Sequence, residues 1–270
     1  MAIDLKGAVA CVTGGARGIG YATAEALAQR GATVWIGDID AAAVNKAAKR
    51  LGKQVKPCQL DVTRVEDFER FLAQAREDGP VRVLVNNAGI MRTGRFYEQD
   101  LAGLHQEIAV NLVGVVNGMH LVLPEMLAQG QGHIVNLSSM AGKISVPGAA
   151  VYSGTKFAVA ALSRAVRAEI LDSDITISSI FPAAVHTHIT QQLDIRGVPT
   201  LDAAAVAAEI VASCKHGQAE VTLPRWVKPV GALEALIPDR LAARIKRVVG
   251  AERRITAGLR KTLASGSATD

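Results

Sequence analysis

Cysteine is scarce in this 270-residue sequence, and the three present, Cys11, Cys58 and Cys214, stand far apart with no C-x-x-C pair. That spacing argues against a disulfide framework or a cysteine-built zinc site and leaves structural thiols. Long hydrophobic runs are missing as well, since charge or glycine soon interrupts each apolar stretch, so no transmembrane helix is expected. Residues 1–7 hold no basic region followed by an apolar segment, which predicts a protein without a secretory signal, working in the cytoplasm. A net positive excess is absent from most of the chain despite a net charge of +5. Residues 239–261 hold eight Lys/Arg against two acids, leaving the remainder slightly acidic. A nucleic-acid partner is therefore not expected, while the C-terminus stands apart as a local basic feature.

What is present suits one large α/β domain: 49% of residues are hydrophobic and 20% charged, enough for a buried core at this length. Short apolar runs at 8–13, 33–38, 54–60, 81–86, 133–138, 176–181 and 220–223 alternate with helical patterns such as 19–30 and 41–51. That rhythm predicts βαβ units and a seven-stranded parallel sheet, doubly wound, with helices on both faces. Residues 1–228 form the expected catalytic domain and 229–270 a basic amphipathic extension. In the extension Leu241, Ile245, Val248 and Val249 share one helical stripe, with Arg240, Arg244 and Arg247 on another face. It either packs on the domain or rests on an anionic membrane surface.

The first strand-to-helix junction reads Thr13-Gly14-Gly15-Ala16-Arg17-Gly18-Ile19-Gly20. Glycines permit a tight turn and close backbone approach, and the following helix start offers free N–H groups to a pyrophosphate. About 20 residues on, Asp38 ends the second strand, where a carboxylate accepts hydrogen bonds from ribose hydroxyls. Asp38 repels a 2′-phosphate and is followed by Ile39 rather than a base, which favours NAD over NADP, although Arg17 in the loop supports NADP. Further on, Tyr152 and Lys156 share one helix face at i and i+4, and a cation beside a phenol favours its ionised form. Such a pair is weak by itself, because many sit on solvated faces. The strand at 133–138 delivers Ser139 beside it at the carboxyl edge of the sheet, where a hydroxyl can bind a substrate oxygen. Strand alternation turns Ser138 to the other face. Asn86-Asn87-Ala88-Gly89 ends another strand at the same edge.

Together these residues resemble the short-chain dehydrogenase/reductase family: TGGARGIG at 13–20, Asp61-Val62, NNAG at 86–89, Asn111, Ser139 and YSGTK at 152–156 follow its order and approximate spacing. The resemblance covers residues 8 to about 223 and implies a single Rossmann-type domain. It implies that Tyr152 is the acid/base, that Ser139 holds the substrate oxygen, and that Lys156 binds the nicotinamide ribose and lowers the tyrosine pKa. Asn111 would help hold a relay water. Gly14, Gly15, Arg17, Gly18, Ile19 and Gly20, with Asp38, Asp61, Val62, Asn87, Ala88, Gly89 and Thr187, would line the cofactor cleft. The chain departs from the pattern at Pro182-Ala183, where the family commonly has Pro-Gly.

The expected activity is hydride transfer between NAD(H) and an apolar secondary alcohol or ketone, with no metal, since His186 and His188 lack further ligands. The alternatives are an NADPH-dependent ketone or ketoacyl reductase and a non-catalytic NAD-binding sensor or scaffold. Residues 184–200 are expected to form much of a lid over a pocket that includes Ile90, Met91, Val146, Val185 and Ile189. A homodimer or homotetramer built on helices at 100–129 and 152–172 is also implied.

Overall fold

The computed structural model describes residues 3–185 and 200–229, with isolated positions between 231 and 244. Thr187, His186, His188, Ile189, most of the 184–200 segment and most of the basic extension lie outside the described residues.

Six strands and their connecting helices alternate, with two helices between β4 and β5: β1 Val9–Thr13, α1 Gly18–Ala28, β2 Thr33–Asp38, α2 Ala41–Leu51, β3 Val55–Gln59, α3 Val65–Arg76, β4 Val81–Asn86, α4 Leu101–Ile108, α5 Gly114–Gln129, β5 Gly132–Leu137, α6 Ala150–Glu169 and β6 Ile175–Pro182. After β6 come the two-residue strands β7 Ala184–Val185 and β8 Thr200–Leu201, which pair only with each other. Helix α7, Ala203–His216, and β9, Glu220–Leu223, complete the sheet. Its order is β3-β2-β1-β4-β5-β6-β9, all parallel, with the first crevice where the order reverses between β1 and β4.

Each central strand is apolar on both faces because helices cover both sides. Ala10 and Val12 of β1 and Val83 and Val85 of β4 enter the core beneath α1, α2 and α7. Their neighbours Val9, Cys11, Val81 and Leu84 enter the opposite core with α3 and α5. Phe68 and Phe71 anchor that second core, fully buried, with ring centres 6.1 Å apart in an edge arrangement. All three cysteines are free and buried, so they act as small apolar side chains.

The helix expected at 100–129 differs in detail. Asp100 starts it by accepting the Gly103 amide at 2.9 Å, and Gly130, at φ 62°, ends it. Between α4 and α5 the chain makes a π turn at Ala109–Val113, which swings Asn111 fully inward. The stretch Leu101–Gln129 is long and apolar enough by composition to cross a membrane, contrary to the sequence expectation. In this fold Val115, Met119, Val122 and Met126 of that stretch pack into the second core.

Candidate active site

The glycine loop is fastened to the neighbouring strand edge before any ligand enters the argument. Thr13 Oγ1 accepts the amides of Asn87 and Ala88 at 3.0 Å each, and Asn87 Nδ2 donates to the Thr13 and Gly14 carbonyls at 2.9 and 3.0 Å. Gly14 sits at φ 64°, and a Cβ there would come within 2.9 Å of Ala88 Cα. Both conditions demand glycine. Arg17 is the N-cap of α1, yet no side chain caps that helix, so its first amides face the crevice without a side-chain acceptor. An anionic pyrophosphate fits such a cradle.

Asp38 lies at the end of β2, its Oδ2 accepting the Ala16 amide and its Oδ1 the Asp40 amide, both at 3.2 Å. The carboxylate is thus fixed against the loop. Arg17 is turned to Asp40, with Nη2 to Oδ2 at 3.0 Å, an exposed pair that sets direction more than stability. Asp61 is occupied locally: its Oδ1 accepts the Thr63 amide at 3.0 Å and the Thr63 hydroxyl at 2.7 Å. Val62 is buried against Gly114, where a Cβ would clash with it at 2.7 Å. Gly15 is pressed on Ile36, while Ile19 is partly buried on the α1-side core.

At the next crevice, formed by the ends of β4 and β5, four predicted residues converge. Ser139 follows β5, accepts the Ala141 amide at 3.1 Å, and lies close enough to Tyr152, near the start of α6, for its hydroxyl to favour the ionised phenol. One turn along, Lys156 is 4% exposed, with Nζ donating to the Leu137 carbonyl at 2.7 Å and lying 5.6 Å from the centre of the Tyr152 ring. Gly89 forms the floor, since a Cβ there would stand 3.2 Å from Asn111 Oδ1 and 3.7 Å from Lys156 Nζ. Ser138 does face away: its hydroxyl donates to the Lys156 carbonyl at 2.9 Å and anchors α6 to β5.

One expectation needs correction. The Tyr152 phenol is not eased toward ionisation: lost hydration pushes it up to about 12, although the nearby Ser139 hydroxyl opposes the rise. Lys156 cannot reverse this, because its ammonium is aimed at Leu137 and burial pulls its own pKa down to about 8. Asn111 clamps the segment after β4 with its side chain. Its Oδ1 accepts the Ile90 amide and its Nδ2 donates to the Ile90 carbonyl, both at 2.8 Å, with a further bond to Thr155 Oγ1 at 3.3 Å. The carboxamide thus pins the π turn to the segment after β4 and to α6, while its Oδ1 keeps a second acceptor site.

Sequence reasoning missed four contributors. Thr13 was visible only as part of the loop motif, and Asp40 reads as a helix N-cap, which it also is, accepting the Ala43 amide at 2.9 Å. Thr155 links Asn111 to the Tyr152 carbonyl, donating to the latter at 2.7 Å. Glu107 is a buried carboxyl one turn before Asn111, signalled only by the i, i+4 spacing of two polar residues. Among the described residues no group of His, Cys, Asp and Glu could hold a metal ion.

A parallel sheet that presents a glycine loop and a Ser-Tyr-Lys cluster at its carboxyl edge defines an oxidoreductase of the dinucleotide-binding α/β class. The family model described as short chain dehydrogenase matches residues 8–196, and the chain belongs to that family. It is 36% identical over 194 residues to the 2,5-dichloro-2,5-cyclohexadiene-1,4-diol dehydrogenase LinX of Sphingobium indicum, covering 70% of this chain and 78% of that one. The fold matches a short chain dehydrogenase/reductase from Burkholderia phymatum, crystallised in complex with NAD, with TM-score 0.81 and 25% identity over 87% of this chain and 95% of the other. A second solved short chain dehydrogenase/reductase family protein matches with TM-score 0.75 and 31% identity, covering 82% of this chain and 97% of that one.

Proposed function

We propose that the chain oxidises a secondary alcohol, or reduces the corresponding ketone, with NAD(H) as redox partner. The observation that carries this reading is the placement of Ser139, at the end of β5, with Tyr152 and the buried Lys156 on one turn of α6, the ammonium 5.6 Å from the phenol ring. When bound, the dinucleotide supplies or accepts the hydride. Gly14 to Gly20 and the α1 amides would hold its pyrophosphate, Asp38 a ribose, and Lys156 the ribose next to the nicotinamide. Ser139 orients the substrate oxygen, and Tyr152 Oη gives or takes its proton. Pushed up to about 12, the phenol is poised as the acid for ketone reduction, and alcohol oxidation calls for alkaline pH.

NAD is favoured over NADP by two carboxylates at the ribose end. Asp38 repels a 2′-phosphate, and Asp40 holds Arg17, the one loop cation that could attract it. An apolar alcohol substrate is supported by partly exposed Ile90 and Met91 after β4 and Val146 before α6, and by a relative named as a cyclic diol dehydrogenase, whereas Val185, expected in the pocket, packs into the core beneath α1, α2 and α7. In this reading residues 1–228 are the catalytic domain and 229–270 an extension whose basic stripe serves packing or peripheral membrane contact. The enzyme is a cytoplasmic homo-oligomer, and exposed Ile108, Val113, Val116 and Phe157 on the helical face of α4 to α6 suit a subunit contact.

The test is turnover of purified protein with NAD and with NADP against varied secondary alcohols, cyclic diols included. Reduced-nucleotide formation with at least one alcohol supports the reading. Tight cofactor binding without turnover across the panel in either direction would leave the sensor or scaffold role.

A further inference from the structure

Glu107 is the one ionisable group on the buried face of α4, where its neighbours are Gly103 and Leu104. It is fully buried. Its Oε1 accepts the Arg92 amide at 2.9 Å, but Oε2 is closed off from solvent and has no hydrogen-bond partner. Unsatisfied carboxylate oxygens are costly in a protein interior, and a leucine would fill this position without that cost. The charged and titratable groups that face Glu107 are Arg92, from the segment after β4, and Lys156 and Tyr152, from α6 packed against α4. Arg92 lays its guanidinium over Gly103, one turn before Glu107, and donates from it to exposed Gln106 Oε1 at 3.0 Å, so its charge is partly open to solvent while that of Lys156 is not.

Lys156 presents the mirror image of this problem. It is a buried ammonium whose hydrogen bond goes to a neutral carbonyl, and among the described residues no carboxylate lies within ion-pair distance of it. The only charge acting on it appreciably is that of Glu107. We propose that Glu107 is the internal counter-ion of Lys156 and a positioning residue for proton exchange at Tyr152, acting across the dry interior between α4 and α6 rather than by contact. This rests on the hydride-transfer reading above. One negative charge favours the protonated form of every neighbour, so Glu107 holds Lys156 as a cation against its burial and also keeps the phenol protonated. Charge separated by low-dielectric protein is poorly screened, so the coupling should persist in high salt.

The experiment is the pH profile of kcat/KM for alcohol oxidation with NAD, in the wild type and in Glu107→Gln. Gln keeps an oxygen for the Arg92 amide and removes only the charge. Both limbs of the profile should move to lower pH by about one pH unit, in low and high salt alike. Glu107→Asp, which retains the charge, should stay closer to the wild type. A profile that keeps its position while rates fall at every pH would make Glu107 purely structural and overturn the proposal. Should Glu107→Gln not fold, Lys156→Met reads the same pair from the other side. Infrared titration should then find the buried carboxyl protonating at a pH about one unit higher than in the wild type, and an unmoved titration would also overturn the proposal. If the wild type turns over no alcohol, the functional reading fails, while the infrared measurement still decides whether the two charges are paired.

Discussion

His133 makes the fold sensitive to acid well above the pH at which carboxylates protonate. It sits in β5, fully buried, with Nδ1 at 2.7 Å from Thr176 Oγ1 and Nε2 at 3.0 Å from Ser213 Oγ. Both partners are neutral hydroxyls, and nothing there compensates an imidazolium. Burial pulls its pKa down to about 4 from the ordinary 6.5. Between those values the unfolded chain binds a proton that the folded chain refuses, so stability is complete above the unfolded pKa and declines as pH falls through the window. Linkage from about pH 8 to about pH 5 gives a loss of about 2 kcal/mol from this residue alone. The assay is urea unfolding of wild type and His133→Gln at both pH values. Gln can still bond a hydroxyl but does not titrate, so its stability should fall about 2 kcal/mol less than that of the wild type over the same interval. Parallel losses in the two proteins would refute the claim that a neutral buried imidazole sets this slope.

Other consequences can be checked separately. Asp38→Ala should shrink the preference for NAD over NADP, measured as the ratio of kcat/KM values, by about ten-fold, because an exposed like charge near 4 Å is worth about 1 kcal/mol in water and more near protein. Asp40→Asn should shift the ratio the same way by releasing Arg17; an unchanged ratio in both variants would show that the carboxylates do not select the cofactor. Phe71→Ala empties a fully buried ring position and should cost about 3–5 kcal/mol in chemical denaturation. Gly14→Ala forces a Cβ toward Ala88 at a positive φ, so dinucleotide affinity measured by calorimetry should fall sharply, and wild-type affinity would mean the loop can relax.

Much of the fold was legible because its signals are local. The strands β2 and β4 are rich in β-branched residues and end at Gly37-Asp38 and Asn86, and two-sided burial makes them largely apolar, so their limits appear directly in the sequence. Alternation likewise separated Ser138 from Ser139, which the structure sends to the Lys156 carbonyl and to Tyr152 respectively. The π turn was not legible, since the apolar pattern from α4 to α5 stays helical across it. What creates it is a long-range pairing of Asn111 with Ile90, visible only once β4 and the helix are adjacent. The electrostatics escaped for the same reason. An i, i+4 spacing brings Lys156 near Tyr152 but does not reveal that its ammonium points to Leu137, nor that the largest influence on both groups is lost hydration.

The most direct test of the account is Tyr152→Phe, which deletes one hydroxyl and keeps the ring. Removing a positioned proton donor should lower kcat for the best alcohol or ketone found by about 100-fold or more. NAD affinity by calorimetry and thermal unfolding should stay close to wild type, because the ring remains and the crevice is otherwise untouched. Turnover at wild-type rates by a folded, cofactor-binding Tyr152→Phe protein would contradict the assignment of proton transfer to this residue.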